Sequence, residues 1–350
     1  MVYLDYAATC PKVKYPCSNY GTFFNVNDNY AYKEKRLLSE AENRVKKAIG
    51  AKSGKVVFGG TSSQLIENLF THIYDETNEY LTICSVYEHD SVWRFADQWG
   101  NIDSLKHAIQ TYHGDKQLII CLMGVNNLTG EIMLIEEIGR LCRKHDAFYI
   151  CDMTAMIGKS LIPANIDQWC DCAVWSGHKL GTELSIGDMW ISDRLDKWLN
   201  GFKLHGTPNL AGALALTQAV EEACDTKTIE KNNFHWVKLA DKFDVLLNKN
   251  NIKHTFVPFM LDDYTPAINA IHLPGFNADA LQQYLASKQI YVSIGGSACA
   301  EKHDYRVLNA YGLSNDEASE VIRVSFSEDS SVKDVEALVK GIKEFQNVYC

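Results

Sequence analysis

An α/β fold built on a mostly parallel sheet, followed by a smaller α+β domain, is what three observations predict. Short apolar runs alternate with helix-period stretches as far as residue 224, the texture changes near residue 225, and the composition suits a packed globular chain. The strand candidates of the first part are 55–58 (Lys-Val-Val-Phe), 80–85, 117–123 and 147–151. The helical stretches are 33–49, 63–74, 135–144 and 210–224. Strands that alternate with helices favour parallel pairing, because a crossover helix returns the chain to the edge of the sheet it left. From Thr226 a charged helix leads into strand-like segments at 253–257, 267–272, 290–294 and 321–326, and then a last helix over 332–345. Neither an internal repeat nor a Pro-rich linker marks the boundary.

At 350 residues, 46% hydrophobic and 22% charged, the chain is long enough for one large core and a second smaller one. With 34 basic and 44 acidic residues its net charge is -10, which disfavours broad binding to nucleic acid or anionic membrane. The start, Met-Val-Tyr-Leu-Asp-Tyr, has no basic region ahead of an apolar run, and no stretch approaches the apolar length of a membrane span. A cytoplasmic protein is the expectation. The eleven cysteines are an odd number in a long chain without an export signal, so free thiols are expected, not a disulfide framework. Cys170 and Cys172 lack the second Cys/His pair of a zinc site, so no metal is expected there. Cys84, Cys121, Cys142 and Cys151 sit in apolar runs and read as small buried hydrophobes.

In an open α/β sheet, ligands gather beyond the carboxyl ends of the strands, and three candidate sites follow strand candidates. Gly59-Gly60-Thr61-Ser62-Ser63-Gln64 opens a helix, where backbone N–H groups and hydroxyls hold a phosphate on the helix dipole; the same cluster also serves as a plain turn and cap. Asp152 ends the run Ala147-Phe-Tyr-Ile-Cys151, where a carboxylate needs a partner such as a protonated ring nitrogen, a salt bridge or a helix cap. Ser176-Gly-His-Lys179 ends the run Cys172-Ala-Val174 and sets an amine where it can meet an aldehyde. Cys299 follows Gly295-Gly296, which suits a thiol on a flexible loop, although most cysteines are simply buried. A lysine, a ring-pairing aspartate and a loop thiol together point to pyridoxal phosphate chemistry ending on sulfur.

The order of these motifs resembles the cysteine desulfurases of the class V aminotransferase group, fold type I pyridoxal phosphate enzymes, over essentially the whole chain. Tyr3-Leu-Asp-Tyr-Ala-Ala-Thr9 resembles the family's opening motif, and 58–68 its phosphate cup and helix. Glu88-His89 resembles the pair whose imidazole stacks on the cofactor, and Val125-Asn126-Asn127 the Asn-Asn motif. Ser176 to Lys179 resembles the cofactor lysine segment, and Gly206-Thr-Pro-Asn209 the element that reaches the neighbouring subunit's phosphate. Gly296-Ser-Ala-Cys299 resembles the sulfur-accepting loop, and Ile322-Arg323-Val-Ser325 the arginine strand.

The resemblance implies a large domain over 15–225 with a seven-stranded, mostly parallel sheet, and a small α+β domain made of 1–14 and 226–350. It implies Lys179, Cys299 and His89 as catalytic groups, and Ser62, Ser63, His89, Asp152, Ser176, His178, Lys179 and Thr207 around pyridoxal phosphate. Asn127 and Arg323 are implied to hold the substrate carboxylate, with Thr207 offered across a homodimer interface. The implied reaction takes L-cysteine to L-alanine and leaves a persulfide on Cys299. A sulfur-acceptor protein of an iron–sulfur, tRNA thiolation or DNA phosphorothioation pathway then receives the sulfur. A selenocysteine lyase or other class V enzyme is the alternative, and a non-catalytic scaffold or sulfur-transfer adaptor a second.

The chain departs from the pattern at several places. Ala155 stands where the family has a glutamine beside the ring hydroxyl, and Gly201-Phe-Lys-Leu-His205 replaces a longer glycine-rich segment bearing an arginine. The signature around 24–30 is blurred, Ser63-Gln64 replaces a Thr-Glu pair, and the stretch 300–305 is short.

Overall fold

A computed structural model describes residues 1–77, 79–258, 263–296 and 304–349. The chain folds into two compact units, one formed by 10–125 and 133–229, the other by 1–9, 126–132 and 230–350.

The larger unit is organised by a seven-stranded sheet, in the order Lys55–Gly59, Gly187–Ile191, Cys172–Ser176, Phe148–Asp152, Gln117–Cys121, Tyr80–Ser85 and Gln98–Gly100. Gly187–Ile191 runs antiparallel to both its neighbours and the other pairings are parallel. The central strands are buried on both faces, which is why they read as unbroken apolar runs and not as alternation. Sequence periodicity picked out 55–58, 80–85, 117–123 and 147–151, each within two residues of an observed strand. It passed over Gln98–Gly100, too short to show a period, and Gly187–Ile191, whose glycine and aspartate disguise it.

Helix Ser62–Glu76 starts on a reciprocal capping box, in which the Thr61 hydroxyl accepts from Gln64 N–H and the Gln64 side chain from Thr61 N–H. Its buried stripe of Leu65, Ile66, Leu69, Phe70 and Ile73 packs against Ile119, Ile150, Val174 and Met189 of the sheet. Each such side chain contributes about 1.5–3 kcal/mol relative to exposure. A second cluster joins Ala41, Leu210 and Leu214 to Phe58.

The smaller unit holds a four-stranded antiparallel sheet in the order Ser293–Ile294, Val321–Ser325, Ile268–His272, Thr255–Val257. The expected continuous strand over 290–294 is split. Ile290–Tyr291 pairs in parallel with Val2–Tyr3, and Ser293–Ile294 turns to pair with Val321–Ser325. Residues 126–132 make a tight turn whose backbone bonds 263–265, with Ile132 N–H donating to Asp263 O and Thr265 N–H to Gly130 O. Gly130 is required there: its φ is +80°, and a Cβ would stand 2.4 Å from the Ile268 carbonyl oxygen. Among the described residues no helix is long and apolar enough to cross a membrane.

Candidate functional site

Sheet direction alone gathers the predicted cofactor residues. Strands Tyr80–Ser85, Gln117–Cys121, Phe148–Asp152 and Cys172–Ser176 are parallel, so their carboxyl ends share one edge. Lys55–Gly59 points the same way, being antiparallel to a strand that is itself antiparallel to Cys172–Ser176. His89, Asp152, the turn Gly177–Lys179 and the Gly59-Gly60 cup therefore leave the sheet at that edge, all within the larger unit.

Asp152 ends its strand 8% exposed, with Oδ1 accepting from Thr154 N–H at 2.8 Å and no salt-bridge partner among the described residues. It is thus neither a salt-bridge aspartate nor the cap of an α-helix, and a buried carboxylate in that state calls for a cationic neighbour. The ring nitrogen of pyridoxal phosphate has that character. His89 caps the short helix Asp90–Trp93, and its Nδ1 accepts from Ser91 N–H at 3.2 Å. That bond leaves the ring proton on Nε2. Glu88, 1% exposed, holds this loop in place: its Oε1 accepts from the Ser85 hydroxyl at 2.6 Å and from Met123 N–H at 2.7 Å.

Ser176 is 2% exposed and its hydroxyl has no hydrogen-bond partner among the described residues, the mark of a donor prepared for an acceptor such as a phosphate oxygen. Ser62 and Ser63 are the first residues of their helix, where anions bind favourably. The loop that carries them approaches closely because residue 187 is glycine; a Cβ there would lie 2.5 Å from Gly60 O and 3.3 Å from Ser62 N. Burial, and then the charges of Lys179 and Lys159, push the His178 imidazole down to about 4, so it is neutral at physiological pH. Thr207 is exposed and lines a cleft of about 560 Å³ with Gly60, Gln64 and Ser185. Ala155 is 6% exposed on the turn after Asp152.

The other two predicted residues meet in the smaller unit. Arg323 is 7% exposed at the middle of its strand, not solvent-facing. Its Nη1 donates to the Asn127 carbonyl at 2.9 Å and its Nη2 to Asp5 Oδ1 at 2.7 Å, while Nε is buried without a partner among the described residues. Asp5 was not foreseen in this role, although its place in Tyr3-Leu-Asp5 was. Ser293 lies directly opposite Arg323, so the strand entering the Cys299 segment is the neighbour of the arginine strand. Cys299 itself lies outside the described residues. Sequence reasoning also missed the anchoring function of Glu88, for which burial in the fold is the only signal. Every cysteine among the described residues is a free thiol.

The family model for class-V aminotransferases matches residues 2–338. The cysteine desulfurase IscS of Mannheimia succiniciproducens is 27% identical over 98% of this chain and 92% of its own. A putative cysteine desulfurase IscS 1 of Bacillus subtilis is 25% identical, covering 98% of both. In three dimensions the chain is similar to a NifS-like protein from Rickettsia africae, at TM-score 0.80, 21% identity and coverage of 99% and 100%. It is also similar to the apo cysteine desulfurase of Thermococcus onnurineus, at TM-score 0.76, 19% identity and coverage of 98% and 94%.

Proposed function

The chain belongs to the class-V aminotransferase family, whose members depend on pyridoxal phosphate, and from that premise we propose that it is a cytoplasmic, homodimeric cysteine desulfurase passing sulfur from L-cysteine through Cys299 to an acceptor protein. The observation that carries this reading is the convergence of Lys179, Asp152, His89 and the unpartnered Ser176 hydroxyl on one edge of the larger sheet.

When bound, pyridoxal phosphate supplies an aldehyde for an amine and a ring that withdraws electrons from the substrate α-carbon. Ser62, Ser63, Ser176 and His178 would hold its phosphate, with Thr207 of a second copy adding a hydroxyl. Asp152 would present its carboxylate to the ring nitrogen, and His89 would supply its imidazole beside the ring. Lys179 would hold the group through its Nζ, and that amine, once released, would take the α-proton of a bound amino acid. Arg323 and Asn127 hold the substrate carboxylate, for which Arg323 keeps an unused N–H at Nε. The Cys299 thiolate attacks the substrate sulfur; the S–S bond forms as the carbon–sulfur bond breaks, the electron pair stays with the carbon side, and protonation there yields alanine. Cys299 is left as a persulfide.

Purified, cofactor-loaded protein should release alanine from L-cysteine and gain one sulfur at Cys299 by mass spectrometry. Cys299→Ala should abolish the added sulfur, and Lys179→Ala should remove the visible absorbance band that shifts with cysteine. No alanine from the wild type, together with identical behaviour of Cys299→Ala, would end this reading.

A further inference from the structure

The turn that brings Asn127 to Arg323 is fastened on a side that neither residue touches. Asn126 Oδ1 accepts from Leu128 N–H at 2.9 Å and Thr129 N–H at 3.0 Å, and Gly130 N–H donates to Asn126 O, which closes the turn internally. Backbone bonds to 263–265 hold one flank. On the other, the Tyr311 hydroxyl donates to Glu131 Oε2 and stands 3.3 Å from Thr129 Oγ1. Leu128 is buried in the cluster against which the Tyr311 ring packs, together with Leu308 and Val321. Tyr311 caps the helix Arg306–Ala310, the first element after the segment that carries Cys299.

We propose that Tyr311 and Glu131 are positioning residues for the substrate carboxylate. Their bond ties the Asn127 turn, and through the Asn127 carbonyl the Arg323 guanidinium, to the stem of the Cys299 segment. The proposal rests on the assignment of Asn127 and Arg323 to substrate binding. Neither Tyr311 nor Glu131 touches substrate in this scheme. Both act by setting where Asn127 and Arg323 stand, so removing their bond weakens the grip on a carboxylate and leaves the grip on an amine alone.

Binding of L-cysteine and of cysteamine, which has the amine and thiol but no carboxylate, separates the two grips when read from the absorbance change of the cofactor-loaded protein. Tyr311→Phe keeps the ring and its packing and removes only the hydroxyl. It should weaken L-cysteine binding roughly ten- to 150-fold, as expected for a hydrogen bond to a charged group, while cysteamine stays within about two-fold. Glu131→Ala, which removes the acceptor, should give the same selective loss, and Glu131→Gln, which keeps an oxygen acceptor, should restore L-cysteine binding. Equal losses for both ligands, or no loss for either, overturn the proposal. Neither ligand has to lose its sulfur in this measurement. A wild type that binds L-cysteine selectively but releases no alanine therefore removes the desulfurase reading and leaves the positioning contact standing.

Discussion

At the scale of single residues, the Asp5–Arg323 pair is the most consequential contact the structure adds. Both side chains are largely buried, 19% and 9% exposed, so Asp5→Ala leaves an uncompensated guanidinium. A loss of about 3–5 kcal/mol in unfolding free energy is expected, and L-cysteine should raise the Tm of Asp5→Ala more than it raises that of the wild type, because the substrate carboxylate replaces the missing charge. His178 makes a pH prediction. The unfolded ring binds a proton near 6.5 and the folded ring only near 4, so the folded state loses stability as pH falls through that window and is unaffected above it. Thermal melts of cofactor-free protein between pH 7.5 and 4.5 should show this loss, and His178→Gln should make it shallower. The candidate cofactor residues other than Thr207 stand out one by one because each ends or follows a short apolar run. Asp5, Glu88, Glu131 and Tyr311 do not, since each gains its meaning from a partner far along the chain that no local pattern names.

Among the elements, strand Gly187–Ile191 is the anomaly. It was passed over because Asp188 breaks an apolar run, yet Asp188 is fully buried between Phe58 and Trp175 of the flanking strands. Neither of its oxygens nor the Trp175 indole N–H has a hydrogen-bond partner of good geometry. Burial holds the Asp188 carboxyl protonated well above its ordinary range. An unfolded aspartate ionises near 3.8, so between that value and the raised one the folded state loses stability with every step up in pH. Asp188→Asn cannot ionise, and its Tm relative to the wild type should climb from pH 5 to pH 8. A constant difference across that range would mean that Asp188 is charged in the fold. The helices were easier to read: a 3.6-residue stripe and a Thr61–Gln64 cap are local facts, and Ser62–Glu76 follows from them directly.

For the whole molecule, the division into two units puts the residues proposed to hold the cofactor in one and Arg323 and Asn127 in the other. A change of texture near residue 225 was visible in sequence. The excursion of 126–132 into the smaller unit was not, since it is a turn of seven residues held by backbone bonds to a distant segment. The proposed homodimer belongs to this scale too. Light scattering of the cofactor-loaded protein should give twice the 39.4 kDa of the chain, and a monomer with full cofactor occupancy would count against Thr207 reaching a second copy.

The distribution of thiols has a bearing on fidelity. A protein that carries reactive sulfur must keep it from wandering among its own side chains. Burial pushes Cys17 and Cys224 up to about 12 and raises Cys142, Cys151, Cys170 and Cys172 as well, while Cys121 is raised by its hydrogen bond with Cys84 and then by burial. Only thiolates exchange sulfur at a useful rate. These seven thiols of the larger unit are thereby poor nucleophiles toward a persulfide, so under the proposed function a sulfur atom on Cys299 would not be drawn onto them.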